Sequence, residues 1–159
     1  MKQRAKKVSE SIITMTELVL PNHTNQLGNL LGGQLMHWID ICAALAAAKH
    51  NQTVCVTASV DRIDFHHPIK LGNAVSLVAS INRVFKTSME VGVKVYAESF
   101  KEGKRIHTNT AYLTFVAVDE NGKPTNAVQV IPESDDEIRR YEEALIRREN
   151  RLKDRIKLI

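Results

Sequence analysis

One carboxylate stands in the middle of an otherwise apolar helical run. In "NQLGNLLGGQLMHWIDICAALAAAKH", Asn25 to His50, the only acidic residue is Asp40, and an aspartate among packed apolar side chains costs stability unless it is partnered or put to use. Its chemical use would be as a general base or nucleophile facing a cleft, since partial burial makes a carboxylate a stronger base. The plainer reading is local pairing, with His37 one turn earlier as the nearest partner. Gly32 and Gly33 stand where the helix begins. First-turn N–H groups have no intrahelical acceptor, and two residues without side chains let a substrate carbonyl reach them, which stabilises an oxyanion as it forms; packing alone is the alternative use. Asn25, on the loop before the helix, carries an amide that both donates and accepts. It is able to orient a water or a carbonyl, and by itself it also reads as a turn residue.

Spacing limits how these groups combine. Asp40 follows Gly33 by seven residues, about 10 Å down the same axis, too far to act on an atom held by the first N–H groups of its own helix. If both features serve one reaction, they come from different subunits, which predicts a dimer with two composite sites.

The elements that must position these residues are legible. "SIITMTELVL" reads as a first strand with Ile13, Met15 and Val19 on one side, closed by Pro21, and "PNHTNQLGN" reads as a turn-rich loop. A helix follows from about Gly32 to His50, roughly 28 Å long. Leu35, Ile39, Cys42 and Ala46 share one stripe and Trp38, Ile41, Leu45 and Ala48 a neighbouring one, so the helix is expected to be buried on nearly every side. Four strands come next. "TVCVTASVDRIDF" is expected to place Val54, Val56, Ala58 and Val60 on one face. "NAVSLVASINRVF" aligns Val75, Leu77, Ala79 and Ile81, and "SMEVGVKVYAESF" aligns Met89, Val91, Val93 and Val95 against Glu90, Lys94 and Glu98. "RIHTNTAYLTFVAV" is the last, and "KEGK" and "DENGK" are turns. This order predicts an α+β fold with an antiparallel sheet around a long helix. Ser134 to Lys157 reads as a second helix, opened by a capping box of Ser134 and Glu137. Its balanced charges predict a mostly solvated helix, with Ile138, Tyr141, Leu145, Ile146 and Leu152 left for packing on the domain or a neighbouring subunit. The chain thus divides into a basic lead-in (1–10), one domain (11–132) and a charged helix (133–159).

The chain of 159 residues, 43% hydrophobic and 25% charged, suits one globular domain. A net charge of +4 admits a polyanionic ligand, but the interleaved charges of the last helix build no basic stripe, so no nucleic acid is expected. No stretch reads as a signal peptide or a membrane span. Two cysteines, Cys42 and Cys55, show neither disulfide density nor metal-ligand spacing, and a cytoplasmic location is expected. His66 and His67 are adjacent on a strand end and point apart, so no metal is expected.

"PNHTNQLGNLLGGQLMHWID" is similar to the signature of acyl-CoA thioesterases of the hotdog superfamily: a proline, an asparagine four residues on, a glycine three further, a Gly-Gly pair, then the helix aspartate. "RIDFHHPIKLGNAV" and "KTSMEVGVKVYAE" resemble later segments of the same family, apart from Asn73, where many relatives carry aspartate. The resemblance implies a hotdog fold, with five to six antiparallel strands around the central helix, and hydrolysis of acyl-CoA to free acid and CoA. It implies Asn25 and Asp40 as catalytic residues from opposite subunits and Gly33, or its neighbour, as the residue whose N–H polarises the carbonyl. It also implies homodimers, often three to a hexamer, with CoA as part of the substrate and no separate cofactor. CoA brings a pyrophosphate and a 3′-phosphate, for which Arg62, Arg83 and Lys86 are candidates, with Thr87 and Ser88 along the pantetheine path. The rival readings are an acyl thioester dehydratase, using His37 with Asp40, and a binding domain that senses acyl-CoA.

Overall fold

The computed structural model describes residues 4–157. A short strand β1 (Lys6–Lys7) leads through a single 3-10 turn to β2 (Ile13–Leu18), and a loop follows before the helix α1 (Gly32–Asn51). The strands β3 (Cys55–Val60), β4 (Ala74–Val84), β5 (Ser88–Ser99) and β6 (Lys104–Ala117) come next, then β7 (Val130–Ile131) and the helix α2 (Asp135–Lys157). Five strands form one antiparallel sheet in the order β2-β4-β5-β6-β3, and β1 pairs with β7 in parallel. The sheet curls around α1. Alternate residues of β4, β5 and β6, among them Leu77, Ile81, Val91, Val93, Leu113 and Phe115, are 0–1% exposed and meet Ile39, Cys42, Ala43, Ala46 and Ala47 of the helix. Small side chains along that helical face let the strands close on it. This is the hotdog arrangement of a central helix wrapped by a sheet.

β3 departs from simple alternation. Cys55 pairs with Ala117, Val56 with Val116 and Thr57 with Phe115, but Ser59 pairs with Thr114 and Val60 with Leu113, with a bulge between Thr57 and Ser59. Since Phe115 and Leu113 face the core, the bulge turns Thr57 and Val60 inward and leaves Val56 and Ser59 on the outer face. Val56 and Val60 therefore do not share a face, contrary to the alternation expected from the sequence.

The helix α1 is not enclosed on every side. Ile41, Leu45 and Met36 are 37%, 48% and 40% exposed, and Val54, just before the edge strand β3, and Val56 within it are exposed as well. Ile41, Leu45, Val54 and Cys55 line one shallow apolar groove. The helix ends with Gln52 in a left-handed conformation (φ 57°), its N–H bonded to Ala48 O. His50 and Asn51, at the last turn, are buried: His50 Nε2 lies 2.9 Å from Val128 O and Nδ1 3.0 Å from Ser11 Oγ, and Asn51 Oδ1 accepts from Val128 N. These bonds tie the segment before β7 to the end of α1.

The second helix begins with the capping box expected: Glu137 N–H donates to Ser134 Oγ and Ser134 N–H to Glu137 Oε2, both at 3.2 Å. Of the five apolar residues expected to pack on the domain or a neighbouring subunit, Tyr141 packs on the domain. Ile138, Leu145, Ile146 and Leu152 are exposed, and the side against the outer face of the sheet presents Tyr141, Ala144, Arg147, Arg148 and Arg151. The cause lies on β5. Glu90, read as an outward-facing charge, is 0% exposed, and Arg147 clamps it through Nε (3.0 Å) and Nη2 (2.7 Å) while its guanidinium covers the Tyr112 ring. Asn82 Nδ2 donates to the same carboxylate at 2.9 Å. Gly92 makes room for that amide, since a Cβ there would lie 2.7 Å from Asn82 Nδ2. A buried carboxylate needs such partners, so a charged helix face covers this side of the sheet.

Candidate active site

Asp40 lies half-buried at the middle of α1, and Thr57 Oγ1 donates to its Oδ1 at 2.8 Å. The two come together because β3 pairs Thr57 with Phe115, which faces the helix. They line a cleft of about 300 Å³ with Gly33, His37, Val60, Ile63 and Leu113. One carboxylate oxygen is thus fixed by a hydroxyl donor, and apolar side chains form much of the surrounding wall. A group so placed can accept a proton from water or attack a carbonyl.

Asn25 occupies the loop ahead of the helix, and its side-chain oxygen is already committed. Oδ1 accepts from Leu27 N (3.0 Å) and Asn29 N (3.2 Å), while the backbone closes the same turn through Asn25 N to Asn29 O and Gly28 N to Asn25 O. Gly28, at φ +72°, supplies the left-handed residue that this turn requires. The loop is pinned from outside by Leu30 N to Ile69 O and by Lys70 Nζ to Asn29 Oδ1 at 2.7 Å. With both lone pairs of its oxygen engaged, Asn25 offers its NH₂ group, so it can donate to a carbonyl but not receive a water proton. It lines a second cleft, about 320 Å³, with Gly32, Phe65 and His67.

The consecutive glycines therefore border different clefts. Gly32 lies against Phe65, whose ring is 3.5 Å from the place of a Cβ, whereas a Cβ on Gly33 would meet nothing within 4 Å. Among the described residues, no packing calls for glycine at position 33. The first intrahelical bond runs from Leu35 N to Leu31 O, which leaves the amides of Gly32, Gly33 and Gln34 without helical acceptors. Asn25 and Asp40 share neither cleft.

Other residues singled out in the sequence are dispersed. His23 is held by the loop, its Nδ1 accepting Leu20 N–H and its ring edge-on to Trp38 at 5.1 Å. Arg62 pairs with Asp64 at 3.0 Å. Arg83 is drawn to α2, donating to Tyr141 O and stacking 4.1 Å from its ring. Lys86 is exposed, and Thr87 and Ser88 line a cavity of about 450 Å³ beneath Arg148, Arg151 and Arg155. Among the described residues no three His, Cys, Asp or Glu side chains converge as a metal site would require, and no helix is long and apolar enough to cross a membrane. Both cysteines are free, and burial raises each thiol to about 11. Sequence reasoning missed Thr57 and the α2 arginines: strict alternation in β3 hid the first, and charge balance along α2 hid the second.

Residues 27–104 match the profile of the thioesterase superfamily. The uncharacterized acyl-CoA thioester hydrolase YkhA of Bacillus subtilis is 42% identical over 146 residues, 92% of this chain and 84% of its own, and protein VdlD of Helicobacter pylori is 42% identical over 145 residues, 91% and 83% of the two chains. Among solved structures, a hexameric acyl-CoA thioesterase superposes with a TM-score of 0.92 at 42% identity, covering 95% of this chain and 97% of the other. The acyl-CoA hydrolase of Staphylococcus aureus, bound to butyryl coenzyme A and coenzyme A, superposes with a TM-score of 0.90 at 39% identity, covering 96% and 93%. That hydrolase has also been solved with an aspartate, a threonine or an asparagine replaced by alanine.

Proposed function

The chain belongs to the thioesterase superfamily, and from that membership we propose that it hydrolyses the thioester of acyl-CoA to free fatty acid and CoA, with a homodimer as the smallest active unit. The observation that carries the proposal is the cleft in which Thr57 fixes Asp40, next to an edge strand and a helix face that are both apolar and uncovered. An edge strand with exposed backbone groups is a template for pairing, and a second copy laid along β3 would cover it together with Ile41 and Leu45. Three such pairs would make a hexamer, the assembly of the solved thioesterase described above.

In the composite site Asp40 of one protomer faces Asn25 and the first-turn amides of the other. The thioester oxygen is held by the Asn25 NH₂ group and the Gly33 N–H, which draw electrons from the carbonyl carbon and hold the oxyanion as it develops. Asp40 then removes a proton from water as the water attacks, or attacks the carbon itself to give an anhydride that water cleaves. Either way the C–S bond breaks, the thiolate of CoA departs and takes up the proton that water gave, and the carboxylate is regenerated. The aspartate, threonine and asparagine altered in the Staphylococcus aureus hydrolase are the three residue types that carry this scheme. Of the residues first assigned to CoA, Thr87 and Ser88 keep that role here, with Lys86 and Arg62 as exposed cations nearer the solvent; Arg83 acts through its hold on α2. No nucleic acid or membrane takes part, and the free cysteines suit a cytoplasmic enzyme.

His37 lines the Asp40 cleft, which is the one observation favouring acyl thioester dehydration. Thiol release from acyl-CoA, followed with a thiol reagent, separates the readings. Release by the intact protein that is lost in Asp40→Asn and kept in His37→Ala supports hydrolysis; release of no thiol, with acyl-CoA bound intact or an enoyl-CoA hydrated, would overturn it.

A further inference from the structure

The loop that carries Asn25 turns two leucines to solvent. Leu27, at its tip, is 77% exposed, and Leu31, at its return to the helix, 43%. Both are firmly placed by the backbone. Leu27 N–H donates to Asn25 Oδ1 at 3.0 Å, within the turn closed by Asn25 N to Asn29 O, and Leu31 N–H donates to His23 O at 2.9 Å. One hydrogen bond therefore sets both the stand of Leu27 and the orientation of the Asn25 amide. On the other half of the central helix, Ile41, Leu45 and Ala48 recur at helical spacing along its uncovered face. With Val54 and Cys55 they form the shallow apolar groove beside β3, and no charged side chain among the described residues lines it.

A shared site constrains how a second copy lies against the first. It sets Gly33 of one protomer against Asp40 of the other, and a two-fold axis makes every such contact reciprocal. The axis then crosses α1 midway between positions 33 and 40, at Met36 and His37, and the paired helices run in opposite directions. Met36 is 40% exposed, as suits a side chain that meets its own copy. Residues ahead of Gly33 fall opposite residues beyond Asp40. Leu31 thus comes to the turn of Ile41, and the turn from Asn25 to Asn29, which reaches farther out, comes over Leu45 and Ala48.

We propose that Leu27 and Leu31 of each protomer fill the apolar groove along Ile41 and Leu45 of the other, so that each subunit's loop is clamped by its partner. The inference rests on the shared-site reading above and names the segment that covers the groove. Leu27 is thereby also a positioning residue. Its docking holds the turn through which Asn25 presents its NH₂ group, so pairing and the geometry of the site depend on one contact. A leucine set in a turn of Asn, Gln and Gly finds its complement on a second copy of the same chain.

An exchange of charge tests the register. Leu27→Glu and Leu45→Lys alter positions that are 77% and 48% exposed, so neither costs an isolated chain much, and circular dichroism verifies the fold. A pair made of either variant alone buries two unpaired charges. Each is expected to raise the dissociation constant by about 100-fold or more, to sediment as a monomer and to release no thiol from acyl-CoA. Mixed together, the two chains form one contact of opposite charges and one of two leucines, so they are expected to pair and to regain thiol release. Leu27→Glu chains that assemble like the parent, or mixed chains that stay apart, would overturn the docking and leave the groove to another occupant. Leu27→Ala, kept assembled at high protein concentration, is expected to lose about tenfold in kcat with KM little changed, and Leu27→Met to recover it; parental kcat in the alanine variant would overturn the hold on Asn25. If the mixed chains pair but neither they nor the parent release thiol, the catalytic reading fails and the docking stands.

Discussion

Thr57 Oγ1 donates to Asp40 Oδ1 at 2.8 Å, joining the edge strand of the sheet to the middle of the central helix. The contact exists because β3 pairs Thr57 with the core-facing Phe115; the bulge that follows brings Val60 to the same side. Asp40→Asn keeps the shape of the carboxylate and removes its basicity, so kcat is expected to fall by on the order of 10²-fold or more. Thr57→Ala leaves the carboxylate in place without its orienting donor. A smaller loss, about tenfold in kcat with little change in KM, is expected there, with recovery in Thr57→Ser. Steady-state thiol release measures both, and near-normal turnover by a folded Asp40→Asn protein would remove Asp40 from the chemistry.

Asn25 and Asp40 line different clefts of one protomer, which leads to a complementation experiment. Asn25→Ala and Asp40→Asn chains, each expected to be inactive, are dissociated, mixed and reassociated. Mixed dimers regain one intact site of two, so part of the activity is expected to return. Mixed dimers verified by native mass spectrometry that remain inactive would show that the two residues do not meet across subunits.

The apolar strip on α1 and β3 makes a related claim about assembly. Leu45→Glu places a charge at a 48% exposed position, where it costs an isolated chain little but would have to be buried in a pair. The variant is expected to sediment as a monomer and to lose hydrolysis with the assembly. A monomer with full activity would refute the shared site.

Glu90 and Arg147 set the stability of α2. Arg147→Ala leaves the fully buried Glu90 carboxylate without its clamp and is expected to cost about 3–5 kcal/mol by urea denaturation. Pairing Arg147→Met with Glu90→Gln removes both charges and is expected to restore most of that loss. Equal stability of the single and double variants would mean that the ion pair is not what holds the helix.

His50 gives the fold a pH dependence with a definite sign. Its Nε2–H donates to Val128 O and its Nδ1 accepts from Ser11, so the ring is neutral, and burial, opposed by the Val128 bond, lowers its pKa from 6.5. The unfolded chain takes up this proton first. Stability is therefore expected to fall as pH drops through about 6.5, to level off below the depressed folded pKa, and to be independent of His50 at higher pH. Calorimetric Tm values between pH 7.5 and 5.5 check this. His50→Gln, although less stable overall, is expected to show a shallower decline than the parent across that window.

Much of the framework is written locally in the chain. The alternation of β4 and β5, the capping box of Ser134 and Glu137, and the placement of Asp40 in an apolar helix after paired glycines all follow from neighbours within a few residues, because helix and strand periods are properties of the local backbone. The candidate residues Asn25, Gly33 and Asp40 were visible for the same reason. What the chain could not announce depends on contacts between distant segments. The register that aims Thr57 inward is fixed by pairing with β6; Glu90 looks solvent-facing until α2, 57 residues later, lays Arg147 on it; and which bases of α2 reach the sheet is decided by the face of the helix that meets it. Charge balance and alternation are sums over sequence, whereas burial is decided by what packs on top, and only the tertiary structure supplies that.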